Sequence, residues 1–359
     1  MASENINPSI TRHHTVEKCP CCGPGHLCDS ETKLPPCIDS EGFDRILHVV
    51  IPISNVIGFE RRYTLFRKSI LHLRSLPGMK IYVVEVSLGD RPQMFRELEG
   101  VTYVGLRTKD VLWHKENMIN CCVAKAFPPR WKYMAWIDGD IEFMNTAISN
   151  ETINQLQIYE FVQMFETAID LGPNGQAINT RTSFGAQAAR GVRFAGRPKY
   201  SYYGQPGFAW ACTRTAFNAI GGLPDFCILG AGDYHLAMAL IGEAALTVKN
   251  GMHPNYRKKV MELQKRCAEE VGLKLGYVRG TIIHGWHGRF TDRRYNERWT
   301  YLTARNGVEN TAFDPDLDIK KDWQGLYIWD CREKPWLVKG VIEYFALRNE
   351  DTIDLRGED

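Results

Sequence analysis

The chain has 359 residues, 44% of them hydrophobic and 24% charged, with a formal net charge of +2. That length can bury a large core, as one big α/β domain with additions or as two domains, and the near-neutral charge makes a whole-molecule electrostatic argument for nucleic acid weak while allowing a local basic patch. No apolar run approaches the ~20 residues of a membrane span, and the polar start lacks the apolar core of a signal peptide, so the expected location is the cytoplasm with no membrane partner.

Residues 1–40 stand apart. They are rich in Cys, Pro, His, Ser and Thr and show no periodic apolar face. So short a segment cannot bury a core and needs a staple. In a reducing compartment thiolates on Zn²⁺ are the expected staple. The ligands expected are Cys19, Cys22, Cys28 and Cys37, with Cys21 or His26 as substitutes; disulfides or a disordered reactive tail are the alternatives. The six later cysteines, Cys121, Cys122, Cys212, Cys227, Cys267 and Cys331, read as small buried hydrophobes.

A strand starts near Arg45 and should end at Ile51, because a central strand does not tolerate the interior Pro52. Phe59, Tyr63, Phe66, Ile70, Leu73 and Leu76 then recur at helical spacing, and Pro77-Gly78 stops that helix. Strands follow at Lys80–Val86 and Val101–Val104. A helix runs from Trp113 to Phe127, and a fourth strand from Lys132 to Ile137. Alternation of this kind predicts an α/β sheet with crossover helices. Ligands bind such sheets beyond the C-terminal strand ends, where Pro52, Ser54, Asn55, Glu85, Asp138 and Asp140 fall. The fourth strand ends in Asp138-Gly139-Asp140. Residues i and i+2 of an extended chain share a side, and Gly139 leaves room for a ligand. Two oxygen donors there suit Mg²⁺ or Mn²⁺; a turn after a strand favours the same residues. Glu142 continues the alternation.

The Val50-Ile51-Pro52-Ile53 strand, a charged first helix and Trp136-Ile137-Asp138-Gly139-Asp140 at this separation resemble a GT-A glycosyltransferase. The resemblance implies a Rossmann-like, nucleotide-sugar-binding mixed sheet with flanking helices, here with a small Cys-rich N-terminal module. It implies that Asp138 and Asp140 hold a divalent metal bridging a diphosphate. Pro52, Ser54, Arg61 or Arg62 and Glu85 would surround the nucleotide, and Lys115 and Asn117 would run along ribose and phosphates. Residues 41–300 are then the catalytic domain, with 41–145 the nucleotide-sugar half and 146–300 the acceptor half.

Residues 151–171 carry an apolar pattern that a core-facing helix or strand satisfies. Residues 172–206 read as a long Gly-rich basic loop with Arg181, Arg190, Arg193, Arg197 and Lys199, able to close on a diphosphate or grip an anionic acceptor, or simply solvated. Gly207–Arg214, Gly221-Gly222-Leu223-Pro224-Asp225 and Gly230-Ala231-Gly232-Asp233 are similar to the acceptor half of β-1,4-galactosyltransferase-like enzymes, although only Asp233 of the acidic pair is present. Asp233 is the expected general base for the acceptor hydroxyl; a helix N-cap is the plainer reading. In Ile282-Ile283-His284-Gly285-Trp286-His287-Gly288-Arg289 the family resemblance implies a late metal ligand, His284 or His287, and phosphate contacts from Arg289, Arg293 or Arg294.

Residues 301–359 read as an extension packing on the core, with a disordered end from Asp351. The stretch from His284 to Trp329 resembles glycosyltransferases of bacteriophages and large viruses, some of which decorate hydroxymethylated pyrimidines in DNA. The function expected is metal-dependent transfer from a UDP-sugar to an acceptor hydroxyl, first a 5-hydroxymethylpyrimidine in DNA, with a glycan or protein acceptor as the alternative. A nucleotidyltransferase also uses Asp-x-Asp, but no Gly-rich nucleotide loop with Lys or Arg appears around Asn55–Gly58. A DNA-binding protein without catalysis leaves Asp138, Asp140, His284 and His287 unexplained. Elemental analysis of the purified chain should return zinc, lost in a Cys19→Ser/Cys22→Ser double variant; a metal-free preparation whose fold ignores both substitutions would refute the zinc module.

Overall fold

The computed structural model describes residues 46–191, 204–272, 275–331 and 333–356. The expected zinc ligands Cys19, Cys22, Cys28 and Cys37 lie outside these residues, as do Arg193, Arg197 and Lys199.

The chain begins with β1 (Leu47–Ser54), α1 (Glu60–Ser75), β2 (Met79–Leu88), β3 (Thr102–Thr108), α2 (Lys115–Ala126) and β4 (Tyr133–Ile137). It continues through β5 (Ile141–Phe143), α3 (Ile148–Gln155), β6 (Phe161–Gln163), β7 (Thr167–Leu171), β8 (Ala177–Thr182), α4 (Phe184–Ala189) and β9 (Ala209–Thr213). Then come α5 (Arg214–Ala219), α6 (Gly232–Ala239), α7 (Pro254–Arg266), β10 (Leu275–Tyr277), β11 (Thr281–His284), β12 (Ile319–Lys321), β13 (Tyr327–Trp329) and α8 (Pro335–Ala346).

Seven strands form a mixed sheet in the order β10-β6-β9-β4-β1-β2-β3. β1 is parallel to β2 and β4, while β4 and β9 are antiparallel. This is the α/β class with a central mixed sheet and flanking helices that the sequence predicts. β1 is apolar without alternation because both its faces are covered. Val50, Tyr82 and Val84 meet Met118, Ile119 and Cys122 of α2 in one core cluster. Val49, Ile51 and Val83 meet Phe66, Ile70 and Leu73 of α1 in the other. Cys121, Cys122, Cys212, Cys227 and Cys267 are buried free thiols, and Cys331 is half-buried.

Pro52 does not end its strand. β1 pairs with β4 only from Leu47 to Val50, whereas its pairing with β2 continues to Ser54. Pro52 therefore lies where β1 is bonded on one side only, and its missing N–H removes no bond to β4. The stretch 172–206 is not one long loop: β8 and α4 occupy part of it, and the Ser183 hydroxyl caps α4 by accepting from the Ala186 N–H.

A second, four-stranded sheet runs β5-β11-β7-β8. Asp138-Gly139-Asp140 is the junction through which the chain leaves the seven-stranded sheet at β4 and enters the second at β5. A side chain at Gly139 is excluded by the core, since an added Cβ would stand 2.4 Å from Cδ2 of Phe66 on α1. Packing thus explains this glycine more directly than ligand room does.

Residues 351–356, part of the end expected to be disordered, make contacts with the body of the chain. Phe59 gives α1 no side-chain cap; the Asp351 carboxylate instead accepts from the N–H groups of Glu60 and Arg61, at 3.1 and 2.7 Å. Trp286 Nε1 donates to the carbonyl of Thr352 at 2.7 Å. No described helix is long and apolar enough to cross a membrane.

Gly139→Ala should destabilise the fold by about 1–3 kcal/mol, the usual result of overpacking a filled core. Urea unfolding measures this, and an unchanged midpoint would contradict the packing role given to Gly139.

Candidate metal and anion site

β11 is the strand that assembles the site. It pairs antiparallel with β5, His284 opposite Ile141, and parallel with β7, His284 opposite Asp170. The first register brings Asp140, which precedes Ile141, beside Gly285, whose N–H donates to the Asp140 carbonyl at 2.8 Å. The second sets Asp170 against the His284 ring.

Three side chains converge there. Nε2 of His287 is 3.1 Å from Asp140 Oδ2, Nε2 of His284 is 3.8 Å from Asp140 Oδ1, and the two Nε2 atoms are 3.2 Å apart. Asp140, His284 and His287 are thereby close enough to hold one ion. Nδ1 of His284 bonds to Asp170 Oδ1 at 2.8 Å. With that nitrogen donating, the Nε2 lone pair faces the cluster, the usual arrangement behind a metal-bound imidazole. Arg181 Nε donates to the other Asp170 oxygen at 2.6 Å. Burial opposes ionisation of Asp170, but His284 and Arg181 hold its carboxyl at about 2. Burial, with Arg293 nearby, lowers His287 to about 4, so it is neutral and able to ligate at pH 7. Asp140 is held well below the usual carboxylate range by His287, His284 and Arg62, against the cost of its burial. Its Oδ1 is buried without a hydrogen-bond partner. An orphaned carboxylate oxygen beside two imidazole nitrogens is a donor set that fits a divalent cation.

Asp138 does not join this cluster. Its Oδ1 is 2.5 Å from Nζ of Lys115, the first residue of α2. Burial raises the Asp138 carboxyl, and Lys115 opposes that. Lys115 is held above its ordinary value, against its own burial, by Asp138, Asp233 and Glu116. The Asp-x-Asp pair is therefore split, one carboxylate on the His pair and one on Lys115. Glu142 turns away to Lys68 at 2.6 Å.

One cleft contains Pro52, Ser54, Asn55, Lys115, Asp138, Asp140, Asp233, His284, His287 and Arg293 among its lining residues. Asn55 also shapes the turn before α1, its Oδ1 accepting from the N–H groups of Gly58 and Phe59. Asp233 lies in the first turn of α6, entered through Ala231 at φ +82°. A Cβ on Gly207 would stand 3.0 Å from Asp233 Oδ2, so the backbone at Gly207 lies close against that carboxylate.

Four expected contacts lie outside the lining. Glu85 is 3% exposed and accepts from the N–H groups of Met94 and Phe95 and from the Tyr103 hydroxyl, which makes it an anchor for the 94–95 turn. Asn117 ties α2 to the β12–β13 hairpin through the Gly325 carbonyl and the Tyr327 N–H. Arg289 pairs with Asp292 at 2.9 Å and faces Asp354. Arg61 offers its backbone N–H to Asp351, while its neighbour Arg62 reaches the cleft. In the other direction, Asp170, Arg298, Arg348 and Glu350 were not foreseen. Glu350, fully buried, binds Arg62 and Arg348 and lies 4.0 Å from Nδ1 of His287.

No protein-family model and no curated protein matches the chain. Solved structures give weak similarities. A Drosophila β1,4-galactosyltransferase 7 solved with manganese, UDP-Gal and xylobiose has TM-score 0.37 and 13% identity, over 81% of this chain and 98% of that one. A mannosyltransferase from Pyrobaculum calidifontis, in complex with GDP-Man and Mn²⁺, has TM-score 0.40 and 11% identity, over 71% of this chain and 59% of that one. A putative nucleotide-diphospho-sugar transferase from Desulfovibrio desulfuricans has TM-score 0.33 and 12% identity, over 86% and 98%.

Asp170→Asn should weaken Mn²⁺ binding about 10–100-fold, as loss of a ligand's carboxylate partner does elsewhere, with the secondary structure kept. Calorimetric titration of Mn²⁺ into the two proteins measures it; equal affinities would show that Asp170 does not orient His284 for a metal.

Proposed function

We propose that this chain is a metal-dependent glycosyltransferase of the GT-A type that moves a sugar from a nucleotide sugar, a UDP-sugar first, to an acceptor hydroxyl. The observation that carries the reading is the meeting of Asp140, His284 and His287 with the Lys115–Asp138 pair in one cleft at the C-terminal end of β4. Sheets of this kind bind nucleotides at that edge. Two imidazoles and one carboxylate favour Mn²⁺ over Mg²⁺, whose preference is for oxygen. Such an ion supplies Lewis-acid stabilisation of a departing diphosphate. Lys115 adds a fixed positive charge on the same side. Asp138 keeps that ammonium aimed into the cleft, and Pro52, Ser54 and Asn55 form the wall on which the nucleotide rests. Asp233 accepts the proton of the acceptor hydroxyl, with the Gly207 backbone close against its carboxylate.

The acceptor proposed is a 5-hydroxymethylpyrimidine in DNA, a base of the kind that enzymes reach by turning it out of the helix. The support for DNA comes from the sequence: the viral resemblance, the basic stretch and the expected zinc module. Of the basic stretch, Arg181 is engaged by Asp170 and Arg190 by Glu166, so the described arginines of that stretch add nothing to it. A glycan or protein hydroxyl is the competing acceptor.

The full chain incubated with Mn²⁺ and a panel of UDP-sugars should release UDP, not pyrophosphate, and Asp140→Ala should lower the rate about 100-fold or more, beyond what loss of an outer partner costs. Mass spectrometry of hydroxymethylated DNA, and separately of glycans, identifies the acceptor by its added hexose mass. Absence of UDP release with every donor, together with no donor-dependent thermal shift, would end the transferase reading.

A further inference from the structure

Arg293, Arg298 and Arg348 line the cleft while being only 8%, 6% and 3% exposed. Tyr295 ties them together. Arg293 hydrogen-bonds its side chain, the Arg298 guanidinium lies 5.1 Å from its ring centroid, and Arg348 acts on its hydroxyl through space. The three cations depress this phenol below its ordinary value even though burial raises it. Arg348 and Arg62 share one carboxylate, Glu350. Arg293 makes no ion pair among the described residues, and its buried Nε has no hydrogen-bond partner. A buried, unpaired guanidinium is costly unless an anion completes it.

The group also has a definite place. Arg298 Nη1 donates to the Leu229 carbonyl at 3.1 Å, and the Arg348 guanidinium lies over Trp113, 5.6 Å from the ring centroid. Trp113 itself donates its backbone N–H to the Ile228 carbonyl. Arg298 and Arg348 thus stand against the segment that runs into α6 and presents Asp233, and Arg293, joined to them through Tyr295, also acts on His287.

We propose that Arg293, Arg298 and Arg348 form an anion subsite that takes a phosphate group of the acceptor, distinct from the place of the donor diphosphate. The inference rests on the donor reading above and deepens it: the acceptor is a phosphorylated molecule, and its phosphate fixes the reacting hydroxyl beside Asp233. Arg293, expected from the sequence at the donor phosphates, serves the acceptor instead.

The test is calorimetric titration of methyl phosphate into the full chain already saturated with Mn²⁺ and UDP. Methyl phosphate should bind the saturated protein, and Arg293→Gln or Arg298→Gln should weaken that binding about tenfold or more, the loss expected for a charge-assisted hydrogen bond, while UDP affinity changes less than about threefold. Arg293→Gln breaks no ion pair and carries the test if Arg298→Gln does not fold. Methyl phosphate that binds only when UDP is absent would assign the arginines to the diphosphate and overturn the proposal, as would binding indifferent to both variants. If UDP itself does not bind, the donor reading falls, and titration of the Mn²⁺-loaded protein without UDP decides by the same two variants whether the arginines hold phosphate.

Discussion

The hydrogen bonding of β11 between β5 and β7 is the constraint on which the site depends. One strand edge sets His284 next to the Asp138–Asp140 junction, and the other sets it next to Asp170. Neither contact needs a long side chain to search for its partner. The register of backbone bonds fixes both, and a slip of one residue would turn His284 to the opposite face of the sheet. His287 follows three residues later, after the strand has ended, and bends back through Gly285 and Gly288 to the same carboxylate. A Cβ at Gly285 would displace the Leu65 side chain, 2.5 Å away, and one at Gly288, where φ is +84°, would meet the Asn349 carbonyl at 2.8 Å.

Around that strand the buried charges are arranged in short alternating chains. Arg181 leads to Asp170 and then His284; Arg62 and Arg348 lead to Glu350 and then His287; Lys115 leads to Asp138. Burying an ion is tolerable only when a partner compensates it, and these chains do so while leaving defined groups unsatisfied. Asp140 Oδ1 and Arg293 Nε are two such atoms. One calls for a cation and the other for an anion, and both residues line the same cleft.

Much of the scaffold could be read from the sequence because its signals are local. The apolar run Tyr133–Ile137, the helical spacing from Phe59 to Leu76 and the Pro-Gly stop each report on a few neighbouring residues. The carboxylate pair could be found but not interpreted. Alternation puts Asp138 and Asp140 on one side of an ideal strand, yet the strand ends at Ile137, and the two aspartates belong to a turn between sheets. Glu85 and Asn117 carry the polar side chains expected of a nucleotide site. Their hydrogen bonds run to other groups of the fold, backbone and side chain, and only tertiary contacts show this. Asp170 and Glu350 gave no sign, since an acid within a short strand and an acid near the chain end acquire meaning only from partners far along the sequence.

The placement of Asp140, His284 and His287 has a thermodynamic consequence as well as a chemical one. They come from the junction after β4 and from the end of β11, with most of the second half of the chain between them. An ion held by all three would cross-link the loop between the two segments, much as a disulfide does, and long loops are where such closure removes the most freedom from the unfolded chain. Binding to the native state alone raises its stability with the ion's free concentration. The second sheet is small, with strands of only three to six residues. The ion that would serve the reaction would then also set how long that sheet stays assembled.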